Sequence, residues 1–374
     1  MKKFIYIAAA AVAVAACAKT EVQDLASVTS EVQTPVYFQT APVTKDDGGT
    51  TTKTWSNFAQ TNVFESAAWY LEKGKAWATD FAAGVNYIPA STVSYMTYSS
   101  STQTTPTSVW RTVQPYYWPK NGGTLTFFSW SLNKSDLNFG QGSSAKVEIT
   151  PEKGVVLTDF NVNVDKGIDF LVADPAYNKT KNEHLYYTDG VPTLFRHKLS
   201  SMKITAATEE DYPGKTITIK KITITNVDGE ADYQEGENDP TKGWTVIDQW
   251  TTDPNSNYDE DLYDGGTSGT KVPTSPSTVT FGGEQTIFIP QDFTGDEMIE
   301  ITYEIVDEFS GVKEEITVKI PLKEALQTSQ GSEDGEFEPG KEYTINLKFT
   351  LDLVFWDPAV NDWEVENKGV TVQG

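Results

Sequence analysis

Residues 343–355 read Tyr-Thr-Ile-Asn-Leu-Lys-Phe-Thr-Leu-Asp-Leu-Val-Phe. Tyr343, Ile345, Leu347, Phe349, Leu351, Leu353 and Phe355 alternate with Thr344, Asn346, Lys348, Thr350 and Asp352. Successive side chains on a strand point to opposite faces, so this pattern predicts one long strand with a single buried side. Ile299, Ile301, Tyr303 and Ile305 repeat it, as do Ile316, Val318 and Ile320. In Ile217, Ile219, Ile222 and Ile224 the alternation slips by one at Lys220-Lys221. One inserted residue is what a β-bulge adds, and a bulge is expected there. Turn signals separate the runs: Asn121-Gly122-Gly123, Asp228-Gly229, Gly265-Gly266, Gly282-Gly283 and Pro339-Gly340. The reading is an all-β chain of antiparallel β-sandwiches.

Outward from that core, the chain begins with Lys2 and Lys3, an apolar run from Phe4 to Ala16, and then Cys17. Thirteen residues fall short of the about 20 that cross a bilayer as a helix. A positive start, a short apolar run and small residues before a break mark a secretory signal. Val14, Ala15 and Ala16 suit the narrow pocket of the lipoprotein signal peptidase, and the Cys17 thiol is the nucleophile that takes diacylglycerol. An ordinary signal peptide ending near a cysteine is the alternative, but Cys17 is the one cysteine in the chain. No disulfide framework or thiolate metal site can then be built. Residues 1–16 are read as signal peptide and 17–34 as a lipidated polar tether reaching roughly 55 Å.

Cleavage before Cys17 removes 16 of 374 residues and leaves 358, enough for two domains. They are placed at 35–192 and 193–374, the second with an acidic, glycine-rich surface excursion at 228–273. Without Lys2 and Lys3 the chain carries 27 basic and 53 acidic side chains, a formal charge of −26. Nucleic acid and an anionic leaflet would both repel it. Pro35 to Thr40 reads as the first strand, with Val36 and Phe38 on one face.

Catalytic constellations are missing from the sequence. His184 and His197 have no second histidine at metal-ligand spacing. His197, beside a strand pattern, reads as a buried hydrogen-bonding residue. There is no nucleophile elbow, phosphate loop or dinucleotide fingerprint, and no cofactor is called for. Asp253, Asn255, Asn257, Asp259, Asp261 and Asp264 fall at positions 1, 3, 5, 7, 9 and 12 of a calcium loop. That template wants Gly at position 6 and Glu at position 12, where Tyr258 and Asp264 stand. A solvated acidic loop is the expectation. The 10 Trp and 17 Tyr residues could fill sandwich cores or stack on sugar rings, and both readings stand at this point.

Several strings, in order, resemble the fimbrillin family of Bacteroidales, the lipoprotein-derived pilin subunits and their relatives. They are Tyr116-Tyr117-Trp118-Pro119 with Leu125–Trp130, then Ile168-Asp169-Phe170-Leu171-Val172-Ala173. Leu194-Phe195-Arg196-His197-Lys198-Leu199-Ser200 and Phe288-Ile289-Pro290-Gln291-Asp292-Phe293 follow. Pro339-Gly340-Lys341-Glu342-Tyr343 and the pair Trp356 and Trp363 complete the set. The resemblance implies two tandem transthyretin-like β-sandwich domains, no enzymatic activity, and a fimbrial subunit or surface adhesin at the outer membrane or in a fimbrium. It also implies other fimbrial subunits as partners. A protease removes the first strand with its lipid, and the opened groove accepts a terminal strand from another subunit. Cleavage in the family usually follows an arginine between the first two strands. Here the first arginine is Arg111, so Lys45 and Lys53 are the candidate processing residues. Gly369-Val370-Thr371-Val372-Gln373 is the candidate donor strand, with Val370 and Val372 pointing inward. The alternative that the residues leave open is a glycan-binding surface lipoprotein of an outer-membrane uptake system.

Overall fold

The structure is a computed structural model, described here for residues 33–40, 58–98, 107–183, 190–239, 242–327, 335–351 and 354–363. Residues 34–374 belong to one compact unit of four β-sheets. The isoleucine runs form the sheet with strand order Asn257–Asp264, Lys215–Asp228, Met298–Asp307 and Lys313–Pro321. It faces a second sheet ordered Val279–Phe288, Ser200–Thr208, Lys341–Phe349 and Val354–Asp362. Ile217, Ile219, Ile222, Ile224, Ile299 and Ile301 of the first meet Ile204, Tyr343, Ile345 and Leu347 of the second in one buried core. The bulge lies where the alternation slipped: Ile219 faces Tyr303, and Lys221 faces the next residue, Thr302. The extra residue turns Ile222 and Ile224 back to the core side, where both are fully buried.

Two expectations in this half are corrected. The alternation of residues 343–355 is not one strand. Lys341–Phe349 ends short of Leu351 and pairs antiparallel with Val354–Asp362, Phe349 facing Val354. Thr350 to Leu353 contains no Gly, Pro or Asn, so nothing interrupts the pattern in the sequence. Gly282-Gly283 lies inside the strand Val279–Phe288 instead of at a turn. Ser201 pairs with Ile287 and Met202 with Gly283, so three further residues loop out of register there. Gly282 and Gly283 have φ of +71° and +139°, conformations open to glycine.

The other half is a nine-stranded sheet and a four-stranded one. The large sheet runs Val191–Pro192, Phe38–Gln39, Thr107–Thr112, Val85–Tyr98, Val63–Leu71, Thr124–Ser131, Leu171–Ala173 and Phe195–His197, with Ala176–Lys179 beside Thr124–Ser131. Its two end strands are joined by Thr193 and Leu194 alone. Three peptide units span at most about 11 Å, so the sheet has to roll until its edges nearly meet. The interior of the roll is aromatic: Phe38, Phe58, Phe64, Trp110, Trp118, Phe127 and Phe195.

The outer face of the roll carries Trp69, Phe128 and Trp130 and packs on the fourth sheet, ordered Gly243–Thr252, Glu230–Asp239, Gly154–Asn161 and Lys146–Thr150. The acidic stretch 228–273 is therefore not a surface excursion of the second half. Its first part is a hairpin that joins this sheet, and Tyr233 and Trp244 are buried in it. Ala231 and Tyr233 begin an alternation whose next inward position is Glu235, 1% exposed. A carboxylate at a core position broke the apolar pattern. Glu235 accepts a hydrogen bond from the Val155 N–H at 2.8 Å. Gly154 leaves the room, since a Cβ there would lie 2.4 Å from Glu235 Oε2.

Candidate functional site

The first strand closes the roll. Phe38 and Gln39 pair parallel with Val191 and Pro192, and Phe38 pairs antiparallel with Trp110. Backbone bonds hold the segment on both sides. Val36 N–H donates to Tyr116 O at 2.8 Å, and Trp118 N–H donates to Thr34 O at 2.9 Å. Opposite, Val191 N–H donates to Tyr37 O at 2.7 Å and Thr193 N–H to Gln39 O at 2.9 Å. Val36 and Phe38 both enter the aromatic interior, as the sequence pattern implied. Tyr37 and Thr40 are buried as well, so the segment is covered on more than one side.

Phe38 is 3% exposed and makes edge-on contacts with Phe64, at a centroid distance of 5.5 Å, and with Phe127, at 5.8 Å. Its backbone presses on Gly190. A Cβ there would lie 2.6 Å from the Phe38 carbonyl carbon, so only glycine admits the strand at this depth.

The remaining predicted residues fall in three groups. Cys17, Val14, Ala15, Ala16, Lys45, Lys53, Val370 and Val372 lie outside the described residues, as does His184. The calcium-template residues are placed but not brought together. Asn257–Asp264 is an extended strand, which spreads its carboxylates over roughly 20 Å. Asp259 accepts the Asn226 N–H and Asp261 the Thr223 hydroxyl, while Lys221 Nζ stands 3.0 Å from Asp261. Asp253 and Asp264 accept the backbone N–H groups of Asn255 and Gly266. His197 is buried, with Nδ1 2.9 Å from Asp169 Oδ2 and its ring stacked 3.9 Å from that of Trp363.

The aromatic residues are largely interior. Of the tryptophans with described side chains, Trp69, Trp77, Trp110, Trp118, Trp130 and Trp244 are buried, and Trp250 and Trp363 are half-buried. No helix among the described residues is long and apolar enough to cross a membrane.

The family model described as fimbrillin-like matches residues 50–363, and the chain belongs to that family. It is a fimbrial subunit or cell-surface adhesin. Among solved structures, a fimbrial protein from Bacteroides vulgatus shares the fold at a TM-score of 0.52 and 14% identity, covering 88% of this chain and 99% of that one. The chain is also similar to a putative cell adhesion protein from Bacteroides uniformis, at 16% identity, a TM-score of 0.44, and 88% and 99% coverage. A fimbrial anchor protein from Porphyromonas gingivalis matches at 13% identity, a TM-score of 0.32, and 88% and 98% coverage. No curated protein matches the chain significantly.

Proposed function

We propose that this chain is exported as a lipoprotein, held at the outer membrane by lipid on Cys17, and built into a surface fibre by strand exchange. In this reading it is a structural protein and not an enzyme, and its partners are other fimbrial subunits. Residues 35–192 and 193–374 act as tandem transthyretin-like units, with strands exchanged between their sheets where the hairpin 230–252 crosses over. Cutting after Lys45 or Lys53 separates the strand 34–40 and its lipid from the rest of the chain. The groove so opened accepts a terminal strand from a neighbouring subunit, and residues 369–373, through Val370 and Val372, are donated onward.

One observation supports this most: the segment 34–40 is short, buried and bonded on both sides, yet Lys45 and Lys53 are the only basic residues between it and Phe58. Losing it would leave unpaired backbone groups along 190–193 and 116–118 and an open apolar groove, which a donated strand satisfies.

The test is the N-terminal residue and lipid state of the protein recovered from intact cells. Membrane fractions should hold a fatty-acylated form beginning at Cys17. Fibre fractions should hold a lipid-free form beginning after Lys45 or Lys53. Fibres containing only the chain that begins at Cys17 would rule out strand exchange, and an unlipidated Cys17 in every fraction would rule out the anchor.

A further inference from the structure

The side chains that now fill the groove define what could replace them. We infer that the groove selects a strand from a different kind of subunit, one with an aliphatic residue at the Val36 position and an aromatic ring at the Phe38 position. This rests on the strand-exchange reading and names its partner.

Three consecutive residues of the seated strand, Val36, Tyr37 and Phe38, are buried. The Phe38 ring sits in a cage that supports itself. Phe58 lies 4.6 Å from Phe195 and 5.5 Å from Trp110, and Phe64 lies 5.3 Å from Phe195 and 5.6 Å from Trp110. Rings packed on one another in this way do not collapse into a space that a smaller side chain leaves, so the void persists and its lining loses contacts. Nor can a strand with smaller side chains move closer to compensate. Its backbone already touches Gly190, where even a Cβ would overlap the Phe38 carbonyl.

Against this shape, the donor segment of the chain is a poor match. Val370-Thr371-Val372 would stand where Val36-Tyr37-Phe38 stands now. The Val36 position is matched, and the Phe38 position loses its ring. Residues 364–374 contain no Phe, Tyr or Trp, so no shift of register within them restores the fit. The groove and the donor segment of one copy are therefore not complementary, and a copy of this chain is not its own neighbour in a fibre. The donor segment serves a groove of a different subunit.

The test uses the unlipidated full chain, cut by limited trypsin treatment between Thr40 and Phe58. Fluorescently labelled peptides then compete for the groove, and anisotropy reports binding. Three peptides are used: residues 33–40, the same peptide with Phe38→Val, and residues 364–374. The first should bind. The Phe38→Val peptide and the 364–374 peptide should each bind at least tenfold more weakly, and Val372→Phe in the latter should recover part of the loss. If 364–374 binds as tightly as 33–40, the selectivity is wrong and exchange between identical copies is the rule. If no peptide enters, the residues 33–40 peptide included, the strand-exchange reading itself falls.

Discussion

The core beneath residues 200–362 and the interior of the rolled sheet are both closed to water, but by different means. The first is an isoleucine ladder on long strands. Lys215–Asp228 pairs with Met298–Asp307 over ten residue pairs, so many hydrogen bonds and a period-two pattern share the task of holding register. The second is a cage of rings closed by a strand with two ladder residues, Phe38 and Gln39. There a few backbone bonds on each side of a short segment act together with the packing of the Phe38 ring against Phe64 and Phe127. A long ladder makes a permanent seam. A short strand held by rings is one whose fit depends on which side chains it brings.

The sharpest way to break this comparison is Phe38→Ala beside Ile345→Ala. Large-to-small changes in cores cost about 3–5 kcal/mol for Phe and about 2–5 kcal/mol for Ile. Denaturant unfolding of the unlipidated chain should give Phe38→Ala the larger loss, although its strand is the shorter. A loss below about 1 kcal/mol would mean that the strand 34–40 is not part of the core.

Glu235 supplies a second contrast, because the outer face of the roll buries a carboxyl. Burial pushes it up to about 8 from 4.5, against the opposing effects of the Val155 N–H and Lys198; Asp248 and Asp174 add to the rise. The folded state therefore binds the proton more tightly than the unfolded one. The stability this contributes is complete below about pH 4.5 and is lost as pH rises towards 8, with a slope of up to about 1.4 kcal/mol per pH unit. Glu235→Gln keeps an acceptor for Val155 and should flatten the slope between pH 5 and 8, read from urea midpoints. An unchanged slope would assign the pH dependence to other groups.

The smallest expected effect is at Gly190. Gly190→Ala forces the Phe38 backbone out by the overlap at 2.6 Å, and overpacking of this kind costs about 1–3 kcal/mol. Hydrogen exchange should speed up at Val191 and Thr193, whose N–H groups bond the first strand, and stay unchanged at Ile345. Equal protection at Val191 in both proteins would show that the contact at Gly190 does not set the depth of the strand.

Much of this was legible along the chain. Alternation marked the strands at 215–228, 298–307 and 341–349, and the slip at Lys220-Lys221 marked the bulge. Val36 and Phe38 announced a strand with a buried face, and Pro339-Gly340 announced the turn before Tyr343. The failures arise where the residue pattern and the strand boundaries disagree. Glu235 occupies an inward position, so the hairpin 230–252 looked like a polar excursion, and the apolar alternation runs on past Phe349, where the strand ends. At Glu235 a residue type at odds with its site is tolerated because a tertiary neighbour compensates, the Val155 N–H donating to the buried carboxyl.

By itself, then, the sequence determined the isoleucine-rich strands, which of their faces are apolar, and that the chain is an all-β chain resembling its family. Only the tertiary structure decided partners: that residues 38–39 lie between 110 and 191–192, and that 230–239 joins 154–161. Periodicity records how a strand divides into faces, which is a local property of backbone geometry. Which strand lies beside it is decided by backbone hydrogen bonds and ring packing between residues 69 to 153 positions apart, and no local pattern carries that information.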